Sequence, residues 1–333
     1  MTIVDIAKES GYSISTVSRV LNNRSDVSPV AKKKIMEIVE AHNFVPNNNA
    51  KHLKQTTTKS ILILVKGTSN MLFSNIIEEI QSIMEESAYE TRVYYLDEDQ
   101  NEVEEAIRLC RERKPLGILF LGGNMVYFQA GFGEVNVPCV LVTNQGKTLR
   151  FDNLSSVATD DKAASEVAVD YLFENGHEYI AEIGGDIDRS TTAQQRHIGL
   201  LRSFEKHGRV FNEELFERAR FSYDSAYRAM NRLLDKNLPI TAVYAISDTM
   251  AIGAIRAIRD RGLNVPNDIS IVGFDGITLA DYYNPKIVTI RQRYKEIARR
   301  SVEIMFNMVD LNTGATHELI PFVLNEGESV KKI

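Results

Sequence analysis

The chain reads as an N-terminal all-α helix-turn-helix head followed by a larger α/β body of two parallel-sheet lobes. Three observations carry this reading. Residues 2–53 hold three short runs of apolar residues at helical spacing, each opened by a capping residue. From residue 60 onward, apolar strands alternate with amphipathic helices, and the alternation restarts after Val157 as a second series. A length of 333 residues suits two or three domains.

In the first helix of the head, Thr2 stands three residues before Asp5, the spacing at which hydroxyl and carboxylate satisfy first-turn backbone donors, and Gly11 closes the helix. Ser13 caps a second helix with Val17, Val20 and Leu21 on its core face and Ser15, Ser18, Arg19 and Asn22 on the other. Ala7, Gly11 and Val17 have helix-turn-helix spacing: a small residue for close helix contact, a glycine for the tight turn, an apolar pin. Ser28 caps a third helix with Pro29 at its first position, where a missing amide proton costs nothing, and Lys32, Lys33 and Lys34 follow. Residues 44–58, FVPNNNAKHLKQTTT, are polar and loop-prone, and read as a linker.

Charge follows the same division. Up to Lys59, nine lysines and arginines stand against five acids, a net +4, while the whole chain carries −6 and the remainder therefore −10. A basic head on an acidic body is the asymmetry expected of a nucleic-acid binder.

The body alternates SILILV, a helix over 74–87, RVYYL, a helix over 101–112, GILFL and VPCVLV. After Val157 come a helix over 161–174, YIAEIG, a helix over 193–206, LFERARF, a helix over 224–235, AVYAIS, a helix over 248–260 and ISIVGF. Continuous apolar strands followed by helices predict parallel sheets covered on both faces, and two facing lobes place the strands' carboxyl ends around a ligand cleft. Cys110 and Cys139 read as inert thiols, and the six histidines include no pair at metal-ligand spacing. No cofactor, metal or catalytic motif is expected, so the chain does not read as an enzyme. The absence of a signal-like run or an 18-residue apolar stretch points to a cytoplasmic protein without a membrane partner.

TVSRVLN, the Ser-Pro cap, F-x-P-N and AKHL occur in order within the first 53 residues, and together they resemble the lactose-repressor (LacI/GalR) family. GHEYIAEIGG, R-x2-G, AISDTMAIGAIRAIRDRGLNVPNDISIVGFD and TIRQ resemble the same family's sugar-binding, periplasmic-binding-protein-like effector domain. The resemblance implies a head over 1–44, a linker with a hinge helix over 45–59, and an effector-binding and dimerisation body over 60–333. Its N-lobe would span about 60–158 and 290–321 and its C-lobe 159–289 and 322–333, with crossings near Thr159, Thr289 and Pro321.

It further implies a transcriptional regulator, a repressor controlled by a sugar or related polyol, bound as a homodimer to pseudo-palindromic operator DNA. Helices 74–87 and 101–112 would form much of the dimer interface, and the family's tetramer-forming leucine tail has no counterpart after Pro321. Two rivals stand beside this reading: a solute-binding or sugar-modifying protein using only the two-lobe body, and a global regulator activated by a phosphorylated protein corepressor.

Ser15 is expected to read a base edge and Arg19 to contact a guanine bidentately, while Ile14 either touches a thymine methyl or packs in the core. Thr2, Ser13, Thr16, Ser18 and Asn22 are assigned to phosphate positioning. In the hinge, Leu53 is expected to wedge into the minor groove, accompanied by DNA contacts from Asn47, Ala50, Lys51 and Lys54; His52 departs from the small residues expected there. Arg196 and Asp275 match the family's effector-gripping arginine and acidic acceptor. Phe73 and Phe221 either stack on the ligand's apolar face or belong to the core, and Asn70, Thr143, Ser247 and Gln292 complete the pocket. Asp248 is expected to cap the helix that follows it.

Overall fold

Local signals in the head produce three helices: α1 (Ile3–Ser10), α2 (Ile14–Leu21) and α3 (Pro29–Ala41). The computed structural model describes residues 3–21, 27–42, 59–67 and 69–333. Ile6, Val17, Val20, Ala31 and Ile35 form the head's core, with Ala7 and Val39 at its margin and Leu21 half-buried against it. Gly11 has φ +74 and donates to the Ala7 carbonyl at 3.1 Å, so its conformation rather than its small size is what the turn uses. The Ser28 hydroxyl accepts from Ala31 N at 3.3 Å, with Pro29 next in line.

The body builds two six-stranded sheets from β1 (Ser60–Lys66), α4 (Met71–Glu85), β2 (Glu90–Leu96), α5 (Glu102–Arg113), β3 (Gly117–Leu121), α6 (Met125–Gly131), β4 (Cys139–Val142) and β5 (Leu154–Ala158). These are followed by α7 (Asp161–Glu174), β6 (Ile180–Gly184), α8 (Thr191–Lys206), β7 (Phe216–Arg218), α9 (Tyr223–Asp235), β8 (Ala242–Ala245), α10 (Asp248–Asp260) and β9 (Ser270–Asp275). The chain ends with α11 (Thr278–Tyr282), β10 (Val288–Gln292), α12 (Tyr294–Asp310), β11 (His317–Leu319) and β12 (Phe322–Asn325). The first sheet runs β11-β5-β4-β3-β1-β2, wholly parallel; the second runs β12-β10-β9-β8-β6-β7, parallel except for the antiparallel edge strand β12. Every residue of SILILV is buried, as expected of a strand covered on both faces.

Two details differ from the sequence reading. Val288–Gln292 pairs with β9 and β12 in the second sheet, so the chain leaves that sheet at Arg293 rather than near Thr289. The apolar run LFERARF yields only three strand residues, because β7 is an edge strand whose pairing stops at Arg218.

Candidate functional sites: the second head helix and the interlobe cleft

On α2 the outward face is polar and exposed. Ser13 caps the helix, its hydroxyl accepting from Thr16 N at 3.2 Å and lying 2.7 Å from Ser15 Oγ and 2.9 Å from Thr16 Oγ1. The Ser15 hydroxyl is thus already tied to its neighbour. Ile14 is 46 % exposed and so lies outside the core; Arg19 is exposed, and Ser18 half-buried. Thr2, Asn22, Asn47, Ala50, Lys51, Leu53 and Lys54 lie outside the described residues.

In the body, a cleft enclosing about 1140 Å³ free of protein atoms, part of it open to solvent, lies between the two sheets. Its walls lie at the carboxyl ends of parallel strands: Lys66 and Gly67 at the end of β1, Glu98 and Asp99 after β2, Gly122–Asn124 after β3, Thr143 after β4, Arg218–Phe221 at the end of β7 and Gln292 at the end of β10. Open α/β sheets place ligands beyond the carboxyl ends of their strands. The start of α8 adds Ser190, Thr192 and Arg196. Across one rim Asn144 Nδ2 donates to Thr192 Oγ1 at 3.0 Å.

Arg196 is 4 % exposed and firmly placed. Nε donates to Asp161 Oδ1 at 2.9 Å, Nη1 to the Ile246 carbonyl and to Asp275 Oδ1 at 3.3 Å, and the guanidinium lies 3.6 Å from the Phe274 ring centroid. Asp275, with φ +109, also accepts from Gln292 Nε2 at 2.9 Å, while its buried Oδ2 has no partner among the described residues. Asn70, Phe73, Thr143, Arg196, Phe221 and Gln292 all line the cleft. Phe73 and Phe221 are half-buried wall residues rather than core.

Asp275 and Ser247 do not line the cleft. Asp275 stands behind Arg196 and Gln292. Ser247 is fully buried because its hydroxyl is the N-cap of α10, accepting from Met250 N at 3.2 Å. Asp248, expected as that cap, instead turns inward and accepts from Ile277 N at 2.8 Å, tying α10 to the loop after β9. The sequence reading also missed Asp161, Lys66, Glu98, Asp99, Arg189, Arg218 and Arg220. All but Asp161 line the cleft, and Lys66, Glu98, Asp99, Arg218 and Arg220 end or closely follow β1, β2 and β7, a positional signal that was available without any motif.

Burial pushes the Asp275 carboxyl up to about 6, although Arg196 and Gln292 pull it down. An acid raised on folding above its ordinary 3.8 binds protons preferentially in the native state, so its contribution to stability falls as pH rises from about 4 to about 6, by about 3 kcal/mol in all. Asp275→Asn should therefore gain stability relative to the natural chain across that window. Urea unfolding at pH 4, 5, 6 and 7 reads this directly, and a stability difference independent of pH would contradict it.

Residues 2–47 match the family described as bacterial regulatory proteins, lacI family, and residues 169–330 match a periplasmic binding protein-like domain. The HTH-type transcriptional regulator MalR of Clostridium butyricum is 37 % identical over 336 residues, covering 99 % of each chain. Among solved structures, the transcriptional regulator CelR–cellobiose complex (TM-score 0.72) and the lac repressor dimer bound to operator and the anti-inducer ONPF (TM-score 0.71) are both 24 % identical over 99 % of each chain, a likeness of fold. A helix-turn-helix head joined to a two-lobed binding body defines a ligand-responsive DNA-binding regulator. The chain belongs to the LacI family of transcriptional regulators. The rival that uses the body alone finds no support, since the likeness to MalR includes the head. Among the described residues, no helix is long and apolar enough to cross a membrane.

Proposed function

We propose that an uncharged carbohydrate held in the interlobe cleft sets the affinity with which a homodimer of this chain binds a pseudo-palindromic operator. The observation that carries the ligand class is the charge pairing of the cleft. Lys66 faces Glu102, Arg196 faces Asp161 and Asp275, Arg218 faces Asp186, and Arg220 faces Asp97, Glu98 and Asp99. Of the five cations that line the cleft, all but exposed Arg189 are thus already held by carboxylates, so a phosphate or carboxylate ligand would have to compete with ion pairs that the protein makes itself. A polyol hydroxyl can donate to such carboxylates while Phe73 and Phe221 offer apolar surface to a sugar ring. The cellobiose held by the similarly folded regulator CelR agrees with this class. A thermal-shift panel of neutral mono- and disaccharides, their acidic and phosphorylated counterparts, and nucleosides tests it. Neutral sugars alone should stabilise the protein, and a shift from only charged compounds or nucleosides would overturn the reading.

On the DNA side, Arg19 is proposed to read a base, with Ser13, Thr16 and Ser18 near phosphates, and Leu53 of the hinge to enter the minor groove, accompanied by DNA contacts from Asn47, Ala50, Lys51 and Lys54. Operator affinity should fall log-linearly with salt, by a slope of about −0.9 per neutralised phosphate. Arg19→Ala should cost about 1–3 kcal/mol on operator and relax choice at one base pair per half-site. An equal loss on operator and random DNA would reassign Arg19 to the backbone.

A further inference from the structure

At the rim of the cleft a single guanidinium bridges the two lobes. Arg220, just past β7 in the second lobe, places Nη2 2.7 Å from Asp97 Oδ1, Nε 3.2 Å from Glu98 Oε1 and Nη1 3.4 Å from Asp99 Oδ2. These three acids are the turn that leaves β2 in the first lobe. One turn of chain further, Tyr223 Oη approaches Met71 Sδ at 3.2 Å across the same gap. Glu98, Asp99 and Arg220 also line the cleft, so the bridge forms part of its wall.

We infer that Arg220 and the Asp97–Asp99 turn form an electrostatic latch that holds the two lobes closed at this rim and must part for the cleft to open. Three arguments support it. All three donor nitrogens of the fork are engaged, each by a different carboxylate, so separating the lobes breaks three contacts together rather than one. Three consecutive acids repel one another unless a cation stands among them, so the turn itself is relieved by Arg220. Backbone donors also shape the turn for this role: Asp97 Oδ1 accepts from Asp99 N at 3.1 Å, and Gln100 Oε1 accepts from Asp97 N at 2.7 Å. The partners are half-exposed, so the latch is weak enough to open thermally and is screened by salt. The same contacts would gate passage to the ligand site, but the latch itself needs neither ligand nor DNA.

Double electron–electron resonance on the full chain tests it in the absence of both, so its outcome is independent of the effector reading. Spin labels go on Gln129→Cys and Arg202→Cys, and in a second sample on Glu104→Cys and Arg228→Cys, with Cys110→Ser, diluted with unlabelled chain to suppress distances between protomers. At about 0.05 M salt the natural residues should give one dominant short distance, and Arg220→Gln should raise the long-to-short population ratio about threefold to tenfold. Raising salt to about 1 M, where screening acts within about 3 Å, should move the natural chain toward the variant and leave the variant unchanged. The triple change Asp97→Asn, Glu98→Gln, Asp99→Asn should reproduce Arg220→Gln, whereas Arg256→Gln, which removes an ion pair within one helix, should not. Superimposable distributions for the natural chain and both latch variants at low salt would overturn the proposal.

Discussion

Arg196→Ala is expected to abolish ligand binding and to destabilise the body by about 3–5 kcal/mol at neutral pH, because it leaves Asp161 and Asp275 buried without their shared cation. Burial already raises both carboxyls, and without Arg196 they rise further. Protonation then offers each an escape that the natural protein uses less. The penalty should therefore shrink as pH falls from 7 to 5, where both acids of the variant can bind protons. Urea unfolding at the two pH values gives the comparison. A penalty below about 1 kcal/mol at pH 7, or one that grows on acidification, would show that Arg196 does not hold the pair together.

Gly199→Ala is expected to be comparably severe. A Cβ at Gly199 would stand 2.4 Å from the Lys162 carbonyl, 2.6 Å from Ser165 Cβ and 3.0 Å from Glu166 N, so α8 could admit it only by moving away from the α7 backbone. Overpacking against side chains costs about 1–3 kcal/mol, and backbone obstacles place this site at or above the upper end. With about 2–4 °C lost per kcal/mol in a domain of this size, melting should fall by about 6–12 °C. Arg196 lies one turn earlier on the same helix, so the displacement should also weaken ligand binding. Gly314→Ala, with nothing within 4 Å of its Cβ, serves as the control and should melt like the natural chain. Equal melting of the two variants would show that the helix pair can yield.

How far the chain could be read in advance depended on whether a residue's role is local. Helix starts were legible because capping is a contact between neighbours: Ser13 with Thr16 and Ser28 with Ala31 are written in consecutive residues. Buried parallel strands were legible from unbroken apolar runs such as SILILV and GILFL. Roles assembled across the fold were harder. Ser247 and Asp248 sit side by side at the start of α10, and nothing in their spacing tells which one caps the helix and which turns inward, as Asp248 does to Ile277, 29 residues away. Asp161 opens a helix in the sequence, yet its partner Arg196 arrives from the next helix. Arg220 meets Asp97–Asp99 only because two strands from different sheets end at the same rim. The crossing was expected near Thr289 and falls at Arg293 because nothing in the sequence of Val288–Gln292 names the sheet it joins, and pairing alone decides.

Control of DNA binding from the cleft is most directly measured by fluorescence anisotropy of an operator selected from random-sequence DNA, titrated with the protein in the presence and absence of the neutral sugar that gives the largest thermal shift. A ligand that distinguishes two arrangements of the lobes should change operator affinity about 5- to 150-fold, and operator should change sugar affinity by the same factor. Arg196→Ala should keep the operator affinity of the sugar-free protein and lose the response. Equal operator affinity with and without saturating sugar would contradict control through the cleft.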